Sequence, residues 1–344
     1  MGNSMTDRAA ASERTGAIND FVARHANGAN ADLLVDMLGT VCRLADDDCD
    51  RGSLKILARA LRELRYAFKT FAPYRDVPKV SMFGSARTPE GHPQYLQALK
   101  FADLIRRHGW MVITGAGDGI MRAGHDGATR EASFGVAISL PFEQGTNNII
   151  AGDDKLIHFK YFFTRKLMFI KEAWAIALFP GGFGTQDEGF ECLTLVQTGK
   201  TNPVPIIMID EPGGTYWEHW RTYVTRELLG PGMISPDDLQ LFYMTDSADA
   251  AIEEIVRFYR RYHSSRYVGE RFVIRMHSPL SEGALGEINE RFARLVLDGT
   301  FEQHRGPVEG ERGEWPDKAR LAFHHNRRSA GHLRQLINFV NQAD

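Results

Sequence analysis

Apolar residues recur along the chain in distinct rhythms, and the rhythms divide it. Up to about position 20 the residues are mostly small and polar, without an apolar stripe, and this start reads as disordered. Leu33, Leu34, Met37, Leu38 and Val41 then repeat at helical spacing, as do Leu54, Leu57, Leu61, Leu64 and Phe68, with a polar break over 46–52 between them. These residues predict an N-terminal helical extension over 21–76, packed either on the rest of the chain or on another subunit.

After Pro78 short apolar runs alternate with amphipathic stretches. Strands are predicted over 80–83, 110–114, 136–140, 174–179, 204–209 and 241–244, and helices over 95–108, 120–131, 161–172, 186–198, 217–229 and 248–262. Strands separated by helices specify a mainly parallel sheet covered on both faces. The fold class over 77–262 is therefore α/β: a doubly wound, Rossmann-like domain whose glycine loops put ligand-binding groups at the carboxyl edge of the sheet. The tail, 263–344, reads as a small C-terminal α/β extension, with strands over 271–276 and 321–324, helices over 282–297 and 332–340, and an outward loop over 302–318.

Composition narrows the function classes. The 344 residues carry a formal net charge of −3, so no global positive field attracts a nucleic acid polymer or a membrane surface. No apolar run approaches the roughly 20 residues that span a bilayer, and the first twenty residues lack the apolar core of a secretory signal. Cys42, Cys49 and Cys192 have no metal-site spacing, which fits a reducing, cytoplasmic setting. The 12 histidines are scattered, and no metal site is expected.

The strongest chemical signal is Pro180-Gly181-Gly182-Phe183-Gly184-Thr185, between a predicted strand and a predicted helix. Glycines let the backbone approach a ligand, and the free N–H groups of a helix start face an anion, so a phosphate fits there. Thr185 is placed to cap the helix. Gly115, Gly117 and Gly119 miss the dinucleotide fingerprint, and neither loop ends as a P-loop does, so an NAD site and a triphosphate machine are both disfavoured. Ser85 and Arg87, after the first strand, supply a hydroxyl and a charge at the same edge, or else are a turn serine and a solvated arginine. Arg165 and Lys166 interrupt an apolar helix, where a buried cation demands a partner. Asp187, Glu188 and Glu191 offer one. Asp187 reads equally well as a first-turn acid facing the helix dipole.

Together these residues resemble the LOG family of nucleotide phosphoribohydrolases, once widely labelled lysine decarboxylases. The family signature P-G-G-x-G-T-x-x-E stands in full from Pro180 to Glu188, with Arg165-Lys166 as its companion pair. The Ser85 loop and the segments 114–121, 141–144 and 193–200 also match the longer bacterial members, and the likeness covers roughly 79–245. The resemblance implies hydrolysis of the N-glycosidic bond of a nucleoside 5′-monophosphate, AMP or a related purine nucleotide, to a free base and ribose 5-phosphate. It implies no cofactor, and a homodimer or higher homo-oligomer. It assigns Arg165 and Glu188 to catalysis, and Ser85, Gly119, Gly181, Gly182, Gly184 and Thr185 to phosphate and ribose contacts; charge alone leads to the expectation that Arg165 keeps the carboxylate ionised. Arg87 and Lys166 complete the substrate-binding set. The chain departs from the family at Ala116 and Asp118, where many relatives have glycine and proline, and at Gly189, where they have leucine. These departures leave open a non-catalytic nucleotide-binding or cofactor-carrier protein. Lysine decarboxylation is disfavoured, because no pyridoxal phosphate constellation is visible.

Overall fold

The computed structural model describes residues 3–26, 28–139, 145–311 and 313–344. The chain divides into two compact units, Met1–Arg62 and Glu63–Asp344. The first contains α1 (Asn3–His25), α2 (Ala31–Asp46) and the opening of α3 (Arg51–Phe71). Helix thus covers a segment that lacks the apolar stripe on which the sequence reading relies. Arg14 of α1 is ion-paired with Asp46 at the end of α2. Leu33, Met37 and Val41 on α2, and Leu54, Leu57 and Leu61 on α3, are all exposed.

The second unit takes in the end of α3 and a seven-stranded sheet. Its elements run β1 (Lys79–Phe83), α4 (Pro93–Arg107), β2 (Met111–Thr114), α5 (Ile120–Ala128), β3 (Ser133–Ile138), β4 (Leu156–Phe159), α6 (Phe162–Lys171) and β5 (Ala175–Leu178). They continue through α7 (Phe183–Gln197), β6 (Ile206–Ile209), α8 (Tyr216–Tyr223), β7 (Phe242–Thr245) and α9 (Ala248–Phe258). The strand order is β4-β3-β2-β1-β5-β6-β7, and every pairing is parallel. The chain therefore winds outward from β1 to β4, then crosses back to lay β5 on the other side of β1. Ligand crevices of open α/β sheets form at such a reversal, outside the carboxyl ends of the strands.

Both faces of this sheet are buried. Phe134, Val136, Met168, Leu178 and Trp217 belong to one core, and Val80, Phe101, Ile105, Ile207 and Ile255 to the other. Continuous apolar strands such as β5 and β6 are the expected consequence. Glu63 is buried on α3, and its carboxylate accepts hydrogen bonds from Lys160 N and Thr164 Oγ1, both at 2.8 Å. An acid at that position fixes the turn from β4 into α6, which carries Arg165.

A second sheet follows, ordered β10-β11-β9-β8 and antiparallel throughout. It comprises β8 (Tyr262–Val268), β9 (Arg271–Met276), β10 (Glu302–His304) and β11 (Ala319–His324), with α10 (Glu282–Arg291) and α11 (Ala330–Gln342) packed on it through Ile288, Leu336 and Ile337. The segment between β10 and β11, expected to loop outward, is instead held on the sheet. Glu311 is clamped by Arg275 Nη2 at 2.8 Å and by the fully buried Arg320 Nε at 2.9 Å. Two buried cations sharing one carboxylate would be costly to leave unpaired, so the loop that brings Glu311 is fixed.

No helix among the described residues is long and apolar enough to cross a membrane.

Candidate functional site

Three loops meet at the reversal between β1 and β5, and backbone hydrogen bonds lace them together. Ser85 N donates to Pro180 O and Ile120 N donates to Ser85 O, both at 3.0 Å. Gly119, with φ +63°, is obligatory at this junction. A Cβ there would lie 2.2 Å from Ser85 O and 2.7 Å from the carbonyl carbon of Ala86. Gly181 is equally confined, with Thr185 Oγ1 2.1 Å and Ser85 N 3.0 Å from where its Cβ would stand.

Helix α7 begins at Phe183 with Gly182 as its N-cap. Thr185 is therefore the third helical residue rather than the cap, because the glycine turn is tight enough for the helix to start earlier than the apolar pattern suggests. Behind the loop, Tyr216 of α8 donates its hydroxyl to Gly181 O at 2.5 Å and accepts from Gln186 Nε2 at 2.6 Å.

The cavity above these loops has a volume of about 1450 Å³. Usual small-molecule sites span about 300–1,000 Å³, so the space is ample for a small-molecule ligand. Ser85, Arg87, Arg165, Gly181, Gly182, Gly184, Thr185 and Glu188 all line it. Two residues of the sequence-derived set do not. Gly119 is buried beneath the wall it shapes. Lys166 turns from the cavity to Asp187 Oδ2, at 2.8 Å, and to the Glu191 carboxylate. Burial opposes the charge on Lys166, but these hydrogen-bonded acids outweigh it and raise its pKa. Asp118 lines the cavity and is exposed. Residues 140–144, which contain the whole segment matched at 141–144, lie outside the described residues.

Arg165 is held between aromatic faces, its guanidinium 5.1 Å from the Phe162 ring centroid and 5.5 Å from that of Phe169. Its Nη2 stands 3.9 Å from Glu188 Oε1, a charge contact rather than a hydrogen bond. Glu188 is only 4% exposed, and its Oε2 is buried without a hydrogen-bond partner among the described residues. Burial pushes its carboxyl pKa up to about 7, against the opposing pull of Lys166 and Arg165. Arg165 pulls towards the ionised form, the direction expected of it, but burial pulls harder the other way. Desolvation wins, and Glu188 titrates near neutrality, the range suited to proton transfer.

Gly189 has a packing cause. A Cβ there would come within 3.2 Å of Leu178 Cδ1, so a small residue lets α7 lie close on β5. Tyr216, Gln186 and a buried trio of Thr114, His125 and Asn147 beside the 115–118 loop were not foreseen. Only a polar residue next to a glycine loop marks Thr114 in the sequence, and nothing local marks the others.

Residues 118–255 match the family model described as possible lysine decarboxylase. This match, over 138 of the 344 residues, takes in Arg165, the glycine loop and Glu188, and agrees with the LOG-family resemblance of the sequence. No curated protein matches the chain. Among solved structures it is similar to the molybdenum cofactor carrier protein of Chlamydomonas reinhardtii, at 18% identity and a TM-score of 0.36 over 52% of this chain and 98% of that one. The molybdenum cofactor binding protein of Rippkaea orientalis gives 17% identity and a TM-score of 0.36, over 52% and 95%. DNA processing protein A of Helicobacter pylori gives 14% and 0.36, over 54% and 83%. Likenesses this slight carry no argument about function.

Proposed function

We propose that the protein hydrolyses the N-glycosidic bond of a nucleoside 5′-monophosphate, AMP or a related purine nucleotide, giving the free base and ribose 5-phosphate. The observation that carries this reading is Glu188: a buried carboxyl titrating at about 7, on the wall of the cavity, one helical turn beyond the glycine loop.

The N–H groups at the start of α7, with Ser85 and Thr185, hold the 5′-phosphate, and Arg87 adds charge from the facing loop. Binding energy from the phosphate then fixes the sugar against Glu188. As the bond from the anomeric carbon to the base nitrogen breaks, its electron pair leaves with the base and positive charge grows on the ribose. Ionised Glu188 stabilises that charge and takes a proton from the attacking water, while the base gains its proton from solvent. Arg165, fixed by Phe162 and Phe169, orients the carboxylate. No metal or cofactor enters this scheme.

The protein acts as a homodimer or higher homo-oligomer in the cytoplasm. Phe162, Phe163 and Leu167 support the assembly: they lie on α6 beside the cavity and are 51%, 56% and 45% exposed.

Incubation with AMP and a panel of other monophosphates, followed by mass spectrometry, tests the reaction. Free base and ribose 5-phosphate in equal amounts are expected. Stable AMP binding with no cleavage across the panel would instead favour the non-catalytic nucleotide binder, for which the exposed Asp118 at the cavity wall is the one specific argument.

A further inference from the structure

The second wall of the cavity is the loop 115–118, and its backbone is not relaxed. Ala116 has φ +63°, a backbone conformation disfavoured for an L-residue other than glycine. A buried polar chain grips this residue on both sides. Thr114 Oγ1 accepts the Ala116 N–H at 3.0 Å, and Asn147 N donates to Ala116 O at 2.9 Å. Asn147 Nδ2 lies 3.1 Å from Ala116 O and 2.9 Å from Gly117 O.

His125 anchors the chain from α5. Its Nε2 is 3.1 Å from Phe134 O and 3.0 Å from Thr114 Oγ1. A carbonyl can only accept, so Nε2 carries the proton, and Nδ1 faces the Asn147 amide, 3.1 Å from Nδ2 and 3.3 Å from Oδ1. Burial lowers the His125 pKa, which favours the neutral ring. Thr114 and His125 are wholly buried and Asn147 is 4% exposed, so no solvent competes for these bonds. Gly117 and Asp118 on one side, and Gly145 and Thr146 on the other, line the cavity beside this trio.

We infer that Thr114, His125 and Asn147 are positioning residues, which hold the 115–118 loop in its strained form and so align the sugar against Glu188. The inference rests on the proposed hydrolysis for its catalytic consequence, though not for its structural one. Because the phosphate is held by the other loop, loosening this wall leaves docking intact and misplaces the reacting centre. A displacement of about 1 Å can cost about a hundredfold in rate.

The test compares Thr114→Val, which keeps shape and removes the acceptor, with Thr114→Ser, which keeps the hydroxyl. In the full-length protein, Thr114→Val is expected to lower kcat for AMP at least tenfold with KM changed less than threefold, and Thr114→Ser to stay within threefold of the parent kcat. Backbone amides over 115–119 are expected to exchange with deuterium faster in Thr114→Val and unchanged in Thr114→Ser. Equal kcat and equal exchange in the two variants would overturn the inference, as would a loss confined to KM. If the parent protein cleaves no nucleotide, the proposed hydrolysis fails, and the exchange comparison alone still decides whether the trio holds the loop. Should Thr114→Val fail to fold, Asn147→Ser is read by the same two measurements against the parent.

Discussion

Arg165 and Glu188 face each other across 3.9 Å without a direct hydrogen bond, and the carboxyl titrates near 7 despite the guanidinium. Coulombic attraction at that distance is modest once a polar surround is allowed for, whereas removing a carboxylate from water is costly. The arginine therefore limits the rise in pKa rather than reversing it.

A pH profile follows. If ionised Glu188 is the base, kcat/KM rises about tenfold per pH unit below 7 and levels off above it, since this ratio reports the free enzyme. Initial rates from pH 5 to 9 check this, and a flat profile across that range would exclude Glu188 as the titrating base. Glu188→Gln is expected to cut kcat by about a hundredfold or more while AMP binding, measured by calorimetry, changes little.

The same carboxyl links pH to stability. Its folded pKa, about 7, lies above the ordinary value of 4.5. Below pH 4.5 both states are protonated and nothing is lost. Between 4.5 and 7 the unfolded chain releases the proton that the native state retains, so stability falls as pH rises and levels off above 7. The shift corresponds to about 3 kcal/mol. Glu188→Gln is expected to be more stable than the parent by roughly that amount at pH 8 and to match it at pH 4. Urea titrations at the two pH values measure the difference, and a pH-independent gap would contradict it.

Tyr216→Phe removes the hydroxyl that supports Gly181 O. A net loss of about 1 kcal/mol is ordinary for one such bond, which corresponds to about a fivefold weaker AMP affinity if the loop loosens. Unchanged affinity would mean that the phosphate loop is rigid without Tyr216.

Gly119→Ala drives a methyl into Ser85 O and forces a left-handed backbone on alanine. Destabilisation above about 3 kcal/mol is expected, well beyond the about 1 kcal/mol typical of point substitutions. By contrast, Gly189→Ala meets only the movable end of Leu178 and gains helix propensity, so chemical denaturation should find it nearly neutral.

Phe163→Asp places a charge on the exposed apolar face of α6. Light scattering should show a smaller assembly mass than the parent if that face joins subunits. An unchanged mass would move the interface elsewhere.

The central sheet is legible in the sequence because strands such as β1, β5 and β6 are buried on both faces and read as apolar runs. Strand β4 is not, since it is a four-residue edge with His158 exposed and lysines on either side. Nor is β8 (Tyr262–Val268), whose polar run has no apolar alternation, and the helix predicted over 248–262 closes at Phe258. At the site, Glu188 and Arg165 stand out by type and spacing. The neutral titration of Glu188 does not, because burial is decided by packing. Tyr216 acts on Gly181 from 35 positions away, and Asn147 on Ala116 from 31, and no local pattern carries such a relation.

The bonds from Ser85 N to Pro180 O and from Ile120 N to Ser85 O join main chain to main chain. These two joints of the cavity's frame thus do not rest on side-chain bonds. His158 and Ser139 also line the cavity and take no part in these two bonds. On the proposed reading, a site built this way changes the base it accepts by small mutational steps while its anchor for the rest of the nucleotide stays fixed.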